Sequence, residues 1–256
     1  MSDATYIFSV SAFYVPIGES KQTATQSGTG FVSLSPSQFR FFTALPNTYI
    51  SYFTQGNLIS EGLAFGSQSA VTISGITGDY HLIGRKCVND SSDNCELLYG
   101  SAKIQSDGKF SFCPQSSYSD SCSGKISMQT PVLSSTTGKF AFNPSSNAFG
   151  GLNAASTQQH GLAIYMNIGG SVYALFGHMT SYSAIASTAQ YRVSHITSMG
   201  YVEENSIYST TANTPLTGFS TSQSGEIILR SSAGLAFVGL PRAGARSATL
   251  RIQKMQ

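Results

Sequence analysis

The four cysteines of the chain, Cys87, Cys95, Cys113 and Cys122, all fall within the segment CVNDSSDNCELLYGSAKIQSDGKFSFCPQSSYSDSC. Three chemistries compete for them: structural zinc, a redox-active dithiol and a pair of disulfides. Zinc gathers thiolates in close C-x(2–4)-C pairs, because two ligands must reach one ion from a single knuckle. Here seven residues separate Cys87 from Cys95, seventeen separate Cys95 from Cys113 and eight separate Cys113 from Cys122. Neither local pair fits zinc, and the C-x-x-C of a thioredoxin-like centre is missing. Disulfides fit better, since each local pair closes a short polar loop. Asp107-Gly108 predicts a hairpin whose paired residues sum to 215, which sets Cys113 opposite Ala102 and leaves Cys95 out of line. The expected bridges are therefore Cys87–Cys95 and Cys113–Cys122. By the chain-entropy argument each stabilises by about 2 to 3 kcal/mol, and both need an oxidising compartment.

Other constellations are weaker. Asn89, Asp90, Asp93 and Asn94 offer oxygens for calcium, but without EF-hand spacing they read as turn residues bonding their own backbone. Asn89-Asp90-Ser91 is also an N-glycosylation triplet, of a kind that chance supplies in a serine-rich chain. His81, His160, His178 and His195 show no metal-binding spacing. There is no G-x-S-x-G elbow, and the Ser-x-x-Lys match at Ser106 and Lys109 straddles the predicted hairpin turn. A glycosidase pair would have to come from Glu61, Asp79, Glu96, Asp120, Glu203 or Glu204. Glu203 and Glu204 are adjacent, so a strand turns them to opposite sides. The glycines lie between strands, so no phosphate-cradling loop is formed. No catalytic residue, metal or cofactor is expected.

Aromatic residues give the better lead. The chain has 16 Phe and 13 Tyr but no Trp. Tyrosines recur in predicted loops and strand ends at Tyr14, Tyr49, Tyr52, Tyr118, Tyr182, Tyr201 and Tyr208. A tyrosine presents a flat apolar face and a hydroxyl, which suits protein interfaces and sugar stacking alike. Tyr118, Tyr182, Tyr201 and Tyr208 are the candidate ligand-binding residues.

The surface that must carry them is unusual. Charged residues make up 10% of the chain against about 25% in a typical soluble protein, and 43 serines take their place. Such uncharged polar surfaces accompany secreted and cell-surface β proteins. A net charge of +2 is too small for nucleic acid, which demands a clustered basic face. The one local excess, Arg242, Arg246, Arg251 and Lys254, reads as a cation-guarded edge strand. No stretch approaches the roughly 18 apolar residues of a membrane-spanning helix. The N-terminus lacks the features of a signal peptide, and the expectation is a mature form with an added Met1.

Positioning falls to β structure. Helical periodicity is nearly absent, and β-branched or aromatic runs alternate with Gly, Ser and Thr. Besides the Asp107-Gly108 hairpin, Gly169-Gly170 predicts a second one. Strands are expected at 6–14, 30–34, 48–53, 70–74, 80–85, 138–142, 190–195, 226–230, 235–238 and 248–252, with the one helix at 181–188. The serine- and threonine-rich stretches NPSSNAFGGLNAASTQQ and YSTTANTPLTGFSTSQSG read as surface loops. Gly-Leu-Ala-[Phe/Ile] recurs at Gly62, Gly161 and Gly234 without a constant period, as a shared local hairpin solution.

The fold class is all-β: an antiparallel β-sandwich or barrel-like fold with long polar loops and little helix. The chain reads as a single β-rich unit over 1–256, with a boundary near 77 as the alternative: an N-terminal β segment over 1–77 and a disulfide-containing β domain over 78–256. The expected function is a non-catalytic secreted or cell-surface interaction protein: an adhesin, a pilus- or envelope-associated factor, or a lipoprotein ectodomain. Its partner would be a protein or glycan at a cell surface, and its location extracytoplasmic (secreted, periplasmic or cell surface). The alternatives are a β-rich pore-forming toxin, the one reading with membrane contact, and an extracellular hydrolase.

Overall fold

The computed structural model describes the backbone over residues 4–12, 15–26, 31–34, 39–45, 48–55, 58–65, 72–88, 94–129, 132–133, 139–143, 148–152, 161–184, 189–197, 200–208, 210–213 and 216–255. Side chains are described within 72–88, 94–129, 161–184 apart from Tyr165, and 216–253. Among the described residues, strands covering 59% of the chain form three antiparallel sheets, which makes the fold all-β. The first sheet is a meander in chain order: β1 (Ala4–Ala12), β2 (Val15–Gln26), β3 (Phe31–Leu34), β4 (Phe39–Leu45), β5 (Thr48–Gln55) and β6 (Leu58–Phe65). Short turn sequences drive it. Gly56-Asn57, for example, separates the paired residues Gln55 and Leu58, a two-residue hairpin signal.

A single helical turn, α1 (Ile73–Ile76), leads into the second sheet. A strand is expected over 70–74, but Thr72 overrides it: its hydroxyl accepts the Gly75 amide at 3.1 Å as an N-cap, and Ile76 is buried beneath. The strands that follow are β7 (Gly78–Val88), β8 (Cys95–Ile104), β9 (Phe110–Pro114), β10 (Ile126–Met128), β11 (Val132–Leu133), β12 (Lys139–Asn143), β13 (Ala148–Leu152), β14 (Leu162–Ile168) and β15 (Ser171–Met179). They lie in the order β10-β9-β8-β7-β15-β14-β13-β12-β11. The Gly169-Gly170 hairpin forms as expected: both glycines have positive φ, and Ile168 pairs with Ser171.

The other hairpin differs from expectation by one residue. Only Gly108 takes positive φ, Gln105 and Lys109 close the turn, and the paired numbers sum to 214. A three-residue loop with one left-handed glycine has replaced the two-residue type I′ turn, so Cys113 stands opposite Ser101 instead of Ala102. Cys95 remains out of line, so the inference about the bridges survives the slip.

The second sheet is curled. At Gly84, Gly100 and Gly177 an added Cβ would overlap the backbone carbonyls of Ala174, Cys113 and His81 on the neighbouring strands. All three glycines share the face that carries Tyr80, Leu82 and Leu175, so the sheet bends most tightly toward that side. The concave face fills with Tyr80, Leu82, Phe110, Phe112 and Ile164, and Ile76 of α1 enters it. The Tyr80 hydroxyl, deep in this core, donates to the Ile76 carbonyl at 2.6 Å and ties helix to strand.

The third sheet follows a 3-10 turn at Thr180–Tyr182, one turn where the sequence predicts a helix over 181–188; Ser183 already bridges to Ser231. It comprises β16 (Ala189–Thr197), β17 (Gly200–Tyr208), β18 (Thr210–Asn213), β19 (Phe219–Ser222), β20 (Ile227–Arg230), β21 (Leu235–Leu240) and β22 (Thr249–Met255), in the order β17-β16-β22-β21-β20-β19-β18. Two sequence expectations change here. The polar stretch 208–225 holds β18 and β19 instead of one loop, because Phe219 is buried and anchors it. The cation-rich tail is an interior strand, since β22 lies between β16 and β21. Of its two cations, Arg251 binds the Glu226 carboxylate, while Arg242 and Arg246 lie exposed in the turn before the strand.

This sheet packs on the convex face of the second one. Ile83, Leu97, Val172 and Phe176 meet Phe219, Leu229, Phe237 and Ile252 in one buried cluster. Alternation explains how the second sheet serves two cores: even residues of β7 and β8 point inward, odd ones toward the third sheet.

Candidate functional site

Both expected disulfides are present, Cys87–Cys95 and Cys113–Cys122, and the chain has no free cysteine. They mark an oxidising, extracytoplasmic environment. No helix among the described residues is long and apolar enough to cross a membrane.

Cys87 and Cys95 are register partners at the last pair of β7 and β8, with Cα atoms 4.1 Å apart. The base of their loop is stitched to the third sheet. The Cys95 amide donates to the Ser247 hydroxyl at 2.8 Å, the Ala248 amide donates to the Cys95 carbonyl at 3.0 Å, and the Arg242 guanidinium reaches the Asn94 side-chain oxygen. Asn89, Asp90 and Asp93, the other calcium candidates, and the glycosylation triplet lie outside the described residues.

The Cys113–Cys122 bridge closes a loop of a different kind. The chain leaves β9 through Gln115, whose φ is +53°. It then folds back along β8: the Gln115 amide donates to the Tyr99 carbonyl at 2.6 Å and the Ser101 amide to the Ser116 carbonyl at 3.2 Å. Tyr118 rides at the turn. Its hydroxyl donates to Asp120 Oδ1 at 2.9 Å, while Lys103 Nζ sits 5.5 Å from its ring centre, within cation–π range. Lys125 Nζ donates to the Asp120 carbonyl at 2.5 Å, and Asp79 holds Lys103 from the other side at 4.0 Å. A half-buried tyrosine thus stands among two lysines and two aspartates on a covalently closed loop.

Beside this loop runs a row of side chains that the sequence analysis treats separately. His178, His81, Ser101 and Cys113 are successive register partners across β15, β7, β8 and β9, all on the face toward the third sheet. His178 is fully buried and His81 is 7% exposed. Phe219 lies 5.3 Å from His81 and 5.4 Å from Tyr99, Phe237 lies 6.3 Å from His178, and Gly218 presses its bare Cα on the His81 ring. His81 Nδ1 and Ser183 Oγ are 2.6 Å apart, and His178 Nδ1–H donates to the Met179 carbonyl at 2.9 Å. Burial pushes the His81 pKa below its usual value, partly offset by the Asp79 carboxylate. The Ser183–His81 distance would suit a nucleophile and its base. The ring, however, is capped by Gly218 and Phe219, and its contacts are those of a satisfied interface histidine. No local spacing signals this row, because it exists only through the pairing of β7 with β15.

Of the four candidate tyrosines, Tyr118 occupies the loop just described. Tyr182 lies on the 3-10 turn, half-buried, its carbonyl accepting the Ser232 amide at 2.7 Å. Tyr201 and Tyr208 fall on β17, paired with Ile196 and Ala189. The site therefore rests on Tyr118. Among the carboxylates, Asp79 and Asp120 belong to this cluster, and Glu96 is exposed on β8 away from it. Glu61, Glu203, Glu204 and His195 are placed as backbone positions only, and Tyr14 and His160 lie outside the described residues. Among the described residues, no three His, Cys, Asp or Glu side chains gather to hold a metal. No protein-family model, no curated protein and no solved structure matches the chain.

Proposed function

We propose that the chain is a non-catalytic secreted or cell-surface interaction protein that presents the Cys113–Cys122 loop, with Tyr118 at its centre, to a protein or glycan partner. The carrying observation is the pre-set geometry of Tyr118, held by Asp120 through its hydroxyl and by Lys103 over its ring, on a loop that a disulfide has already closed. A contact residue ordered before binding costs little conformational entropy when the partner arrives. Tyrosine flanked by both charge signs offers stacking, hydrogen bonding and ion pairing at one spot. The edge strand β17, nine residues long at one margin of the third sheet, supplies a second surface of the kind that adds a partner strand.

Binding of the full chain to arrayed glycans and to intact cells tests this reading, with Tyr118→Ala and Asp120→Ala beside the wild type. Bound signal that falls at least tenfold in both variants supports it. Undiminished binding by Tyr118→Ala moves the contact surface elsewhere.

A membrane-acting reading is favoured by one observation. β16 and β17 form a hairpin of nine paired positions joined by two residues, close to the strand length that spans a bilayer as a barrel stem. Dye release from liposomes of anionic and neutral composition decides it, and intact vesicles at neutral and acid pH remove it.

A further inference from the structure

We propose that the Cys113–Cys122 disulfide is a redox switch for the Tyr118 loop: a dithiol reductant opens it while Cys87–Cys95 stays closed, and opening releases the geometry that presents Tyr118. The switch rests on the reading of that loop as the contact surface. The two bridges differ in access. Cys87 is 1% exposed and Cys95 is fully buried, at the last pair of the β7–β8 ladder, with Ser247 and Ala248 bonded to the Cys95 backbone. Cys113 is equally buried. Cys122, however, is partly exposed on a turn, and residues 119–121 and 123–125 on either side of it are exposed. Thiol–disulfide exchange needs a thiolate to reach one of the two sulfurs, so access decides which bridge reacts in the folded protein.

One thiolate of the dithiol attacks the Cys122 Sγ, the S–S bond breaks, and Cys113 leaves as a thiolate that takes up a proton. The second sulfur of the reductant, as thiolate, then attacks the mixed disulfide and frees Cys122, which is protonated in turn. The reductant ends as its own disulfide, and the protein has gained two electrons and two protons. What opening releases follows from the bonds that remain. Gln115 and Ser116 stay on β8 through the Tyr99 carbonyl and the Ser101 amide, and Ile126–Met128 stays paired with β9. Between those anchors, Tyr118, Asp120, Cys122 and Lys125 make their polar contacts with one another, with Ser119 and with Lys103. No ladder holds 117–125 against β9, so the disulfide is what fixes this stretch. The new Cys113 thiol has the Ser119 carbonyl 3.4 Å from its sulfur, but a thiol is a weak donor and does not replace a covalent bond.

Dithiothreitol applied to the oxidised full chain without denaturant, followed by alkylation and peptide mass mapping, tests the switch. Cys113–Cys122 should open at least tenfold faster than Cys87–Cys95, and glutathione in place of the dithiol should be trapped as a mixed disulfide on Cys122. Hydrogen exchange of the selectively reduced chain should quicken tenfold or more over 117–125, leave 95–104 unchanged, and return to its starting rate on reoxidation. Equal opening rates, glutathione on Cys113, or unchanged exchange over 117–125 each overturn the proposal. These readouts involve no partner, so they separate the switch from the binding reading on which it rests. Binding to arrayed glycans and intact cells joins the two: a signal that Tyr118→Ala reduces tenfold should fall as far in the selectively reduced wild type. A reduced chain that binds as well as the oxidised one, where Tyr118→Ala does not, overturns the switch and spares the contact surface. Undiminished binding by Tyr118→Ala overturns the contact surface, and selective opening then marks a labile bridge without that regulatory role.

Discussion

Cys87 and Cys95 face each other as the final register pair of β7 and β8, so the first disulfide runs straight across an existing ladder, whereas Cys113 and Cys122 are joined where no ladder connects them. The two bridges close loops of similar length, with sequence separations of 8 and 9. Loop-closure entropy therefore predicts similar losses, about 2 to 3 kcal/mol each, when either pair is changed to alanine. Their local effects should differ. Urea unfolding should show comparable destabilisation for Cys87→Ala/Cys95→Ala and Cys113→Ala/Cys122→Ala. Hydrogen exchange should show fast amides over 115–125 only in the second variant, because β7 and β8 keep their backbone bonds in the first.

The curl of the second sheet depends on side-chain absence at Gly84, Gly100 and Gly177. Gly177→Ala places a methyl group on the His81 carbonyl, a backbone atom that cannot rotate away. Relieving it means flattening the sheet, at about 3 kcal/mol or more. Gly244→Ala is the control. That residue has φ of +60° and open space around its Cα, so only the left-handed backbone is strained, at about 1 to 2 kcal/mol. Thermal melts should rank Gly177→Ala well below Gly244→Ala.

Much of this architecture is legible in the sequence because its cause is local. Gly169-Gly170 specifies a two-residue turn and obtains one, and the spacing of the four cysteines points to the bridges that form. Asp107-Gly108 was open to two solutions. The Asp107 carboxylate accepts the Lys109 amide at 3.1 Å, an Asx-type closure that favours the longer loop and moves every partner by one. The histidine row was hidden for the opposite reason. His81 and His178 meet through a pairing between strands distant in the chain, and nothing near either residue announces it. Tyr118 stands out in the sequence as an aromatic in a polar loop, yet its cationic partner Lys103 comes from β8, and the Asp79 that pairs with that lysine from β7.

Tyr80 ties α1 to the concave core by a hydrogen bond. Its hydroxyl is fully buried and donates to the Ile76 carbonyl, and burial pushes its pKa far above the usual tyrosine value. Tyr80→Phe keeps the ring but leaves that carbonyl without its donor, which costs about 1 to 3 kcal/mol. Urea unfolding should show the loss, and exchange of the amides at 75–77 should quicken more than that of β8.

Glu226 is the anchor of the C-terminal strand. Its carboxylate, with a side chain 16% exposed, accepts from the Ser222 and Ser224 hydroxyls at 3.3 and 3.1 Å and binds the Arg251 guanidinium. Charge-assisted bonds of this partly sheltered kind are worth more than surface pairs. Glu226→Ala removes a partly sheltered acceptor while Arg251, whose side chain is 42% exposed, is rehydrated, at a cost of about 1 kcal/mol. Asp107–Lys109, on an exposed turn, should contribute nothing measurable. Raising salt from 0.05 to about 0.5 M separates the two further, since solvent-exposed charges are screened and sheltered ones much less so. The urea midpoint difference between wild type and Glu226→Ala should persist at high salt. If it vanishes there, the pair is a surface contact and β22 is held by its ladder alone.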